Sequence, residues 1–144
     1  MTNPALIEAS LEMAAARCED LTPLVYARLF ADHPQMEAMF WSDTNWAVRG
    51  EMLSKVFSAI LDFVGERLYA HTLIQTEVVT HAGYDVPPDV FGVFFGTVAA
   101  TLADVLGPDW SPEIDQAWNA LLAELDFYVT HPDQAVTQGL PVRA

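Results

Sequence analysis

Positive charge is scarce in this sequence. Of 144 residues only 6 are Lys or Arg, against 20 Asp or Glu, for a formal net charge of -14. A nucleic-acid duplex would meet a surface of its own sign, so that partner class is excluded. The cations stand at positions 17, 28, 49, 55, 67 and 143, and the 10 carboxylates between 68 and 142 have no cation among them. Any anionic group is therefore expected to be met by the first half of the chain. Cysteine is scarcer still. Cys18 stands alone, so neither an internal disulfide nor a cysteine-rich metal cluster can form, and a reducing, cytoplasmic setting is expected. The first residues, MTNPALIEASLEMAAARCED, lack the basic start of a signal peptide, so export is not expected. Long hydrophobic runs are missing too. The most apolar stretch, 90–103, has 14 residues between Asp89 and Asp104, too short for a membrane span and right for a buried helix.

What is present is apolar residue in quantity. The hydrophobic share is 52% and the charged share 18%, where soluble domains carry about 25% charged residues. That is too apolar for disorder and enough for one domain, which buries about two-thirds of its unfolded surface.

The punctuation is helical. A polar residue followed by proline opens helices at Asn3-Pro4, Thr22-Pro23 and Ser111-Pro112, with His33-Pro34 and Pro87-Pro88 as weaker versions. Between these marks the apolar residues step by three and four. Leu6, Leu11, Ala14 and Ala15 form one stripe. Leu24, Tyr26, Leu29 and Phe30 form another, and Pro34 opens a short turn ending near Phe40. After a loop from Trp41 to Asn45, one face carries Arg49, Met52, Leu53, Val56, Phe57, Ile60, Leu61 and Val64. A further helix holds Leu73, Ile74, Glu77, Val78 and His81 and ends at Gly83. The helix from Pro87 to Leu106 is apolar nearly all round and should be central. The last helix is expected to bury Ile114, Trp118, Leu121, Leu122 and Leu125. No alternating strand pattern, repeat or linker appears. An all-α domain of about seven helices is predicted over residues 1–131, with 132–144 as a loose tail.

Two residues invite chemistry. His81 ends a helix whose inward face is Ile74 and Val78. Such a histidine serves either as a satisfied core residue or as a neutral axial ligand to haem iron. In the second case its other nitrogen donates to a backbone carbonyl about one turn earlier. Tyr26, on a short buried helix, is either core with its hydroxyl bonded to backbone or a phenol pointing at a ligand in a dry pocket.

Taken together, Tyr26, Pro34, Phe40, His81, Val86 and Phe91 resemble the globin family. Single-domain bacterial haemoglobins and the haem domain of flavohaemoglobins are the nearest in pattern. Phe40 follows Tyr26 by 14 residues with Pro34 between them, and Val86 and Phe91 follow His81 by 5 and 10. The stretch from Trp110 to Trp118 is similar to the start of the family's last helix, so the resemblance covers roughly residues 5–130. It implies a globin-like fold enclosing a haem pocket. His81 would be the iron ligand of a haem b, Tyr26 a donor to bound O2, and Phe40, Val86 and Phe91 haem contacts. It also implies reversible binding of O2, NO or CO at pentacoordinate iron, and NO dioxygenation supported by an external reductase.

The distal residue admits two registers. Counting 32 back from His81 gives Arg49 as ligand-stabilising, with Leu53 over the ligand. This count is preferred because it keeps the helix length. A shift of three gives Met52 and Val56 instead, and then Met52 approaches iron as a sixth ligand. Arg49, Lys55 and Arg67 are candidates for the haem propionates, Arg67 the weakest. Asp85, where the family usually has glycine, departs from the pattern. Two other classes stay open: a haem-based gas or redox sensor acting through a partner, and a globin-like interaction module without haem. Trp41 and Trp46 hint weakly at an interface, and the oligomeric state is open.

Overall fold

The structure, a computed structural model, describes residues 3–40, 42–83 and 88–130, with backbone alone for 88–90. Among these residues there are six α-helices, two 3-10 segments and no strand. In chain order they are α1 (Pro4–Arg17), α2 (Thr22–Asp32), the 3-10 segment Pro34–Phe40, α3 (Ala47–Val64), α4 (Ala70–Ala82), α5 (Pro88–Leu106), the 3-10 segment Gly107–Asp109 and α6 (Pro112–Thr130). The expected all-α architecture is observed. The expected tail 132–144, together with Trp41, Asp85 and Val86, lies outside the described residues.

Two of the proline signals carry the expected polar cap, while Thr22, expected to cap α2, lies inside that helix, whose cap position Leu21 makes no side-chain bond. Asn3 caps α1 by accepting from the Leu6 amide at 3.3 Å, and Ser111 does the same for Ile114 at 3.1 Å. α5 is the axis of the bundle, packing against α1, α2, α4 and α6. Its buried apolar residues are Phe95, Val98, Ala99, Leu102 and Leu106. The stretch Phe91–Asp109 is long and apolar enough to cross a membrane by composition, but here that character serves burial among four other helices. α6 covers α5 with Ile114, Ala117, Trp118, Leu121, Leu125 and Val129. Leu122, expected in that core, is only partly buried. α1 also differs from its expected stripe. It turns Ile7, Ser10 and Ala14 inward, Leu6 and Leu11 pack at the margin, and Ala15 is exposed. The polar member has a reason: Ser10 accepts a 2.9 Å hydrogen bond from the buried Trp118 indole while donating to the Ile7 carbonyl. On α2, Val25 takes the inward position and Leu24 stays exposed.

α3 and α4 run antiparallel, and their relative register is pinned at the corner between them. The Asp62 carboxylate accepts from the amides of Leu68, Tyr69 and Ala70 at 3.0, 2.9 and 2.8 Å, closing the open start of α4. The chain passes this corner with Arg67 at φ 56°, a left-handed conformation unusual for a non-glycine residue. Moving back along α3, the Ser58 carbonyl accepts from the Tyr69 hydroxyl at 3.4 Å, and Lys55 Nζ meets Glu77 Oε2 at 3.7 Å. From the Asp62–Ala70 contact to the Lys55–Glu77 contact, seven residues back on α3 correspond to seven forward on α4.

Partial burial alone would raise the Asp62 pKa, but the three amide donors outweigh it and hold the carboxyl below the usual carboxylate range. Its contribution to stability is therefore complete above that range and is lost as pH falls through the depressed value. Asp62→Asn is expected to destabilise the fold by about 0.5–2 kcal/mol at neutral pH, the range for loss of a helix cap. Urea unfolding of both proteins across a pH series checks this: the difference should shrink on acidification, and a constant difference would contradict it.

Candidate functional site

One pocket opens between α3 and α4, floored by α5. α3 contributes Met52, Lys55, Val56 and Ala59, a single stripe at helical spacing. α4 contributes Leu73, Ile74, Glu77 and His81, and α5 contributes Phe91, Phe94 and Phe95. The 3-10 segment after α2 closes one side with Met36, Met39 and Phe40. Nearly all of this wall is hydrocarbon or thioether. The polar exceptions are Lys55, Glu77 and His81.

His81 is held with care. Its Nδ1 lies 2.7 Å from the Glu77 carbonyl oxygen, one turn earlier. A carbonyl only accepts, so Nδ1 carries the proton, and in the neutral ring Nε2 is left with a lone pair. Phe91 packs edge-on against the imidazole at 4.9 Å between centroids. The Glu77 carboxylate, 3.9 Å from Nδ1, is too far for a direct bond and is shared with Lys55. A fixed imidazole at the edge of an apolar pocket is a metal-ligand arrangement. Among the described residues, no cluster of three or more His, Cys, Asp or Glu offers an alternative metal site.

The globin family profile matches residues 24–127. The chain belongs to the globin family. Cytoglobin-2 of Danio rerio is 24% identical in an alignment covering 80% of this chain and 72% of that protein. No solved structure matches. These matches carry the family, and not the bacterial or flavohaemoglobin subgroup.

Against that background the expected site residues separate into two groups. His81, Phe40, Met52, Lys55, Val56 and Phe91 all line the pocket of this globin. Val86 lies outside the described residues. Arg49, Leu53 and Tyr26, expected to face the ligand, are not on the pocket wall. Of the two registers, the pair Met52 and Val56 lines the pocket and the pair Arg49 and Leu53 does not. Leu53 is buried, but on the opposite side of α3, where it lines a groove with Leu11, Cys18 and Phe57.

Arg49 is occupied at the start of α3. Its Nε donates to Asp43 Oδ2 at 3.0 Å and an Nη donates to the Asp43 carbonyl at 2.7 Å. The guanidinium carbon lies 4.0 Å from the centre of the Trp46 ring. The two side chains are only 12% and 5% exposed, so the arginine is a component of the helix start and not a solvated cation. Asp43 also accepts from the amides of Val48 and Arg49, both at 3.0 Å. It caps α3 because Trp46, at the geometric cap position with φ 66°, has no side-chain acceptor. Desolvation would raise the Asp43 pKa, yet these donors and the guanidinium hold it below the carboxylate range. Trp46 is 40% exposed but covered on one face by Arg49 and on one edge by Tyr26, which uses it inside the fold.

Tyr26 is fully buried, with its ring against Phe40 at 5.4 Å and Phe94 at 5.5 Å. It thus stands one layer behind the pocket wall. Its hydroxyl donates to the Arg49 carbonyl at 3.2 Å. Burial pushes the phenol's pKa well up, only partly offset by Arg49, so the group remains a neutral donor. Of the two readings open from sequence, core with a backbone bond is the observed one.

Arg67 is also placed away from the pocket. It donates to the Phe63 carbonyl and to Glu124, and its guanidinium lies over the Phe63 ring. Sequence reasoning missed Asp43, Asp62, Met36, Met39, Glu77 and Phe94 as parts of the site or its frame. The two aspartates carried no signal among 20 acids, whereas Met36, Met39 and Phe94 were visible as apolar residues beside expected site positions.

Arg49→Ala and Asp43→Ala are each expected to lower the urea midpoint of unfolding. The double variant should fall short of the two effects added, because both substitutions remove the same anchor. Strict additivity would contradict the coupling.

Proposed function

We propose that this globin binds haem b through His81 and takes up small diatomic ligands (O2, NO or CO) in the apolar pocket. The observation that carries the reading is the 2.7 Å bond from His81 Nδ1 to the Glu77 carbonyl, which leaves Nε2 as a donor lone pair at an apolar wall. The donor set suits haem: one neutral imidazole, aromatic and aliphatic faces for a macrocycle, and one cation for an acidic edge. When bound, haem supplies iron chemistry that reversibly holds diatomic gases.

The chain's own residues then have separable tasks. His81 binds, and the Glu77 carbonyl orients it. Phe91 packs on the imidazole, and Phe40, Phe94 and Phe95 exclude water. Among the described residues Lys55 is the one cation lining the pocket, so it is the candidate partner for a propionate in a protein of charge -14. Its side chain is 53% exposed, and its present bond to Glu77 is a weak surface pair of about 0–1 kcal/mol. The pocket is partly open to solvent and offers about 130 Å³, less than the roughly 300–1,000 Å³ of ordinary ligand pockets. Loading therefore requires the α3 and α4 walls to part, and that weak pair is a tie between them.

NO dioxygenation extends this reading and needs an external reductase whose basic docking face meets the acidic surface. A reducing, cytoplasmic setting suits both that partner and the lone Cys18.

Titration of the protein with haemin, followed by absorbance, tests the binding. One equivalent is expected to give a saturating Soret band, and His81→Ala is expected to abolish stoichiometric binding or shift the band. Failure of the unaltered protein to bind would overturn the reading.

A further inference from the structure

We infer that Met52 supplies a thioether as the axial ligand opposite His81 whenever no gas is bound. The inference rests on the haem reading above and concerns this chain's own residue on the other wall. Its first support is the antiparallel register of α3 and α4. Asp62 meets Ala70 at the start of α4, and Lys55, seven residues back on α3, meets Glu77, seven residues forward on α4. One more turn back on α3 is Met52, and one more turn forward on α4 is His81. Both line the same pocket.

The second support is elimination among groups with an available lone pair. Lys55 is a charged ammonium paired with Glu77, and an ammonium offers none. Glu77 stands on the same helix as His81 and shares its carboxylate with Lys55. Tyr26 lies behind Phe40 and Phe94 with its hydroxyl bonded to the Arg49 carbonyl. Arg49 is bound to Asp43. Among the described residues lining the pocket, the remaining candidates are thioethers: Met36, Met39 and Met52. Met36 is packed into the core at 5% exposure, and Met39 is 49% exposed at the rim, both on the 3-10 segment. Met52 alone projects from α3, the wall that faces α4.

A thioether is a soft ligand competent for haem iron, and paired with an axial histidine it raises the reduction potential. Its unbranched side chain swings aside at little cost, so a gas competes with it for the site. At roughly nine-tenths occupancy by Met52, apparent gas affinity is about tenfold weaker than in a protein lacking the thioether.

The experiment uses the full chain loaded with haemin, read by absorbance and electron paramagnetic resonance, with Met52→Leu as a volume-conserving variant and Met39→Leu as its control. The parent and Met39→Leu are expected to be low-spin without added ligand, and Met52→Leu high-spin. Met52→Leu should also have a lower reduction potential and about tenfold tighter CO binding in the ferrous form. A high-spin parent, or a low-spin signal unchanged in Met52→Leu, would overturn the assignment while leaving haem binding intact. Conversion to high spin by Met39→Leu in place of Met52→Leu would overturn it equally. Failure of the parent to take up haemin would overturn the haem reading, and this inference with it.

Discussion

The Asp62 carboxylate sets where α4 begins with respect to where α3 ends, and the pocket inherits that choice. Three amides converge on it within one corner. Without such a cap these donors would be left unsatisfied or solvated, and the corner would be free to slide. A slide of one residue rotates a helix face by about 100°, since a turn takes 3.6 residues. Such a rotation would take Met52 off the wall and bring Leu53 or Glu51 toward it. Which α3 side chains line the pocket is thus decided some three turns away, by a carboxylate outside the pocket lining.

The other end of α3 is fixed by a second acidic residue with a different set of partners. Asp43 caps the helix and binds Arg49, Arg49 covers Trp46, and the Arg49 carbonyl accepts from Tyr26. Four side chains of high functional promise are thereby committed to holding a helix in place. Hydrogen bonds to charged groups are worth about 1.5–3 kcal/mol where both partners are sheltered, so turning one of them toward a ligand would cost more than a weak gas contact returns. The pocket is apolar because its polar neighbours are already satisfied elsewhere.

Much of this was legible in the sequence, for identifiable reasons. The prolines at 4, 23, 34 and 112 mark element starts, and the spacing of Tyr26, Phe40, His81 and Phe91 pointed to the globin fold and to the pocket's histidine. Period-3.6 reading found the central helix and most of the α6 core. It erred where two neighbouring apolar residues competed for one inward position, as with Leu24 and Val25 or Met52 and Leu53. Nothing in composition separates those pairs, because the decision is made by the helix ends. Those ends depend on Asp43, on Asp62 and on a left-handed Arg67, none of which differs in type from its surface counterparts. A count backwards from His81 must cross that corner, so counting alone does not decide between Arg49 and Met52.

The charge distribution leads to the same division of labour. Of the three cations expected near an acidic cofactor edge, Arg49 and Arg67 are drawn into buried or aromatic partnerships, each over a ring and each bonded to a carboxylate and a carbonyl. Arginine suits that task because its planar fork satisfies several acceptors at once, while lysine is a single, well-hydrated point of charge. Lys55 is left at the pocket wall, half exposed, with a partner about 3.7 Å away that it can exchange. In a chain this acidic, a second exchangeable cation at the mouth would attract the protein's own carboxylates and bridge the walls more firmly. One weak tie links the two walls without locking them, and under the haem reading proposed above the same lysine is free to exchange Glu77 for an anionic edge.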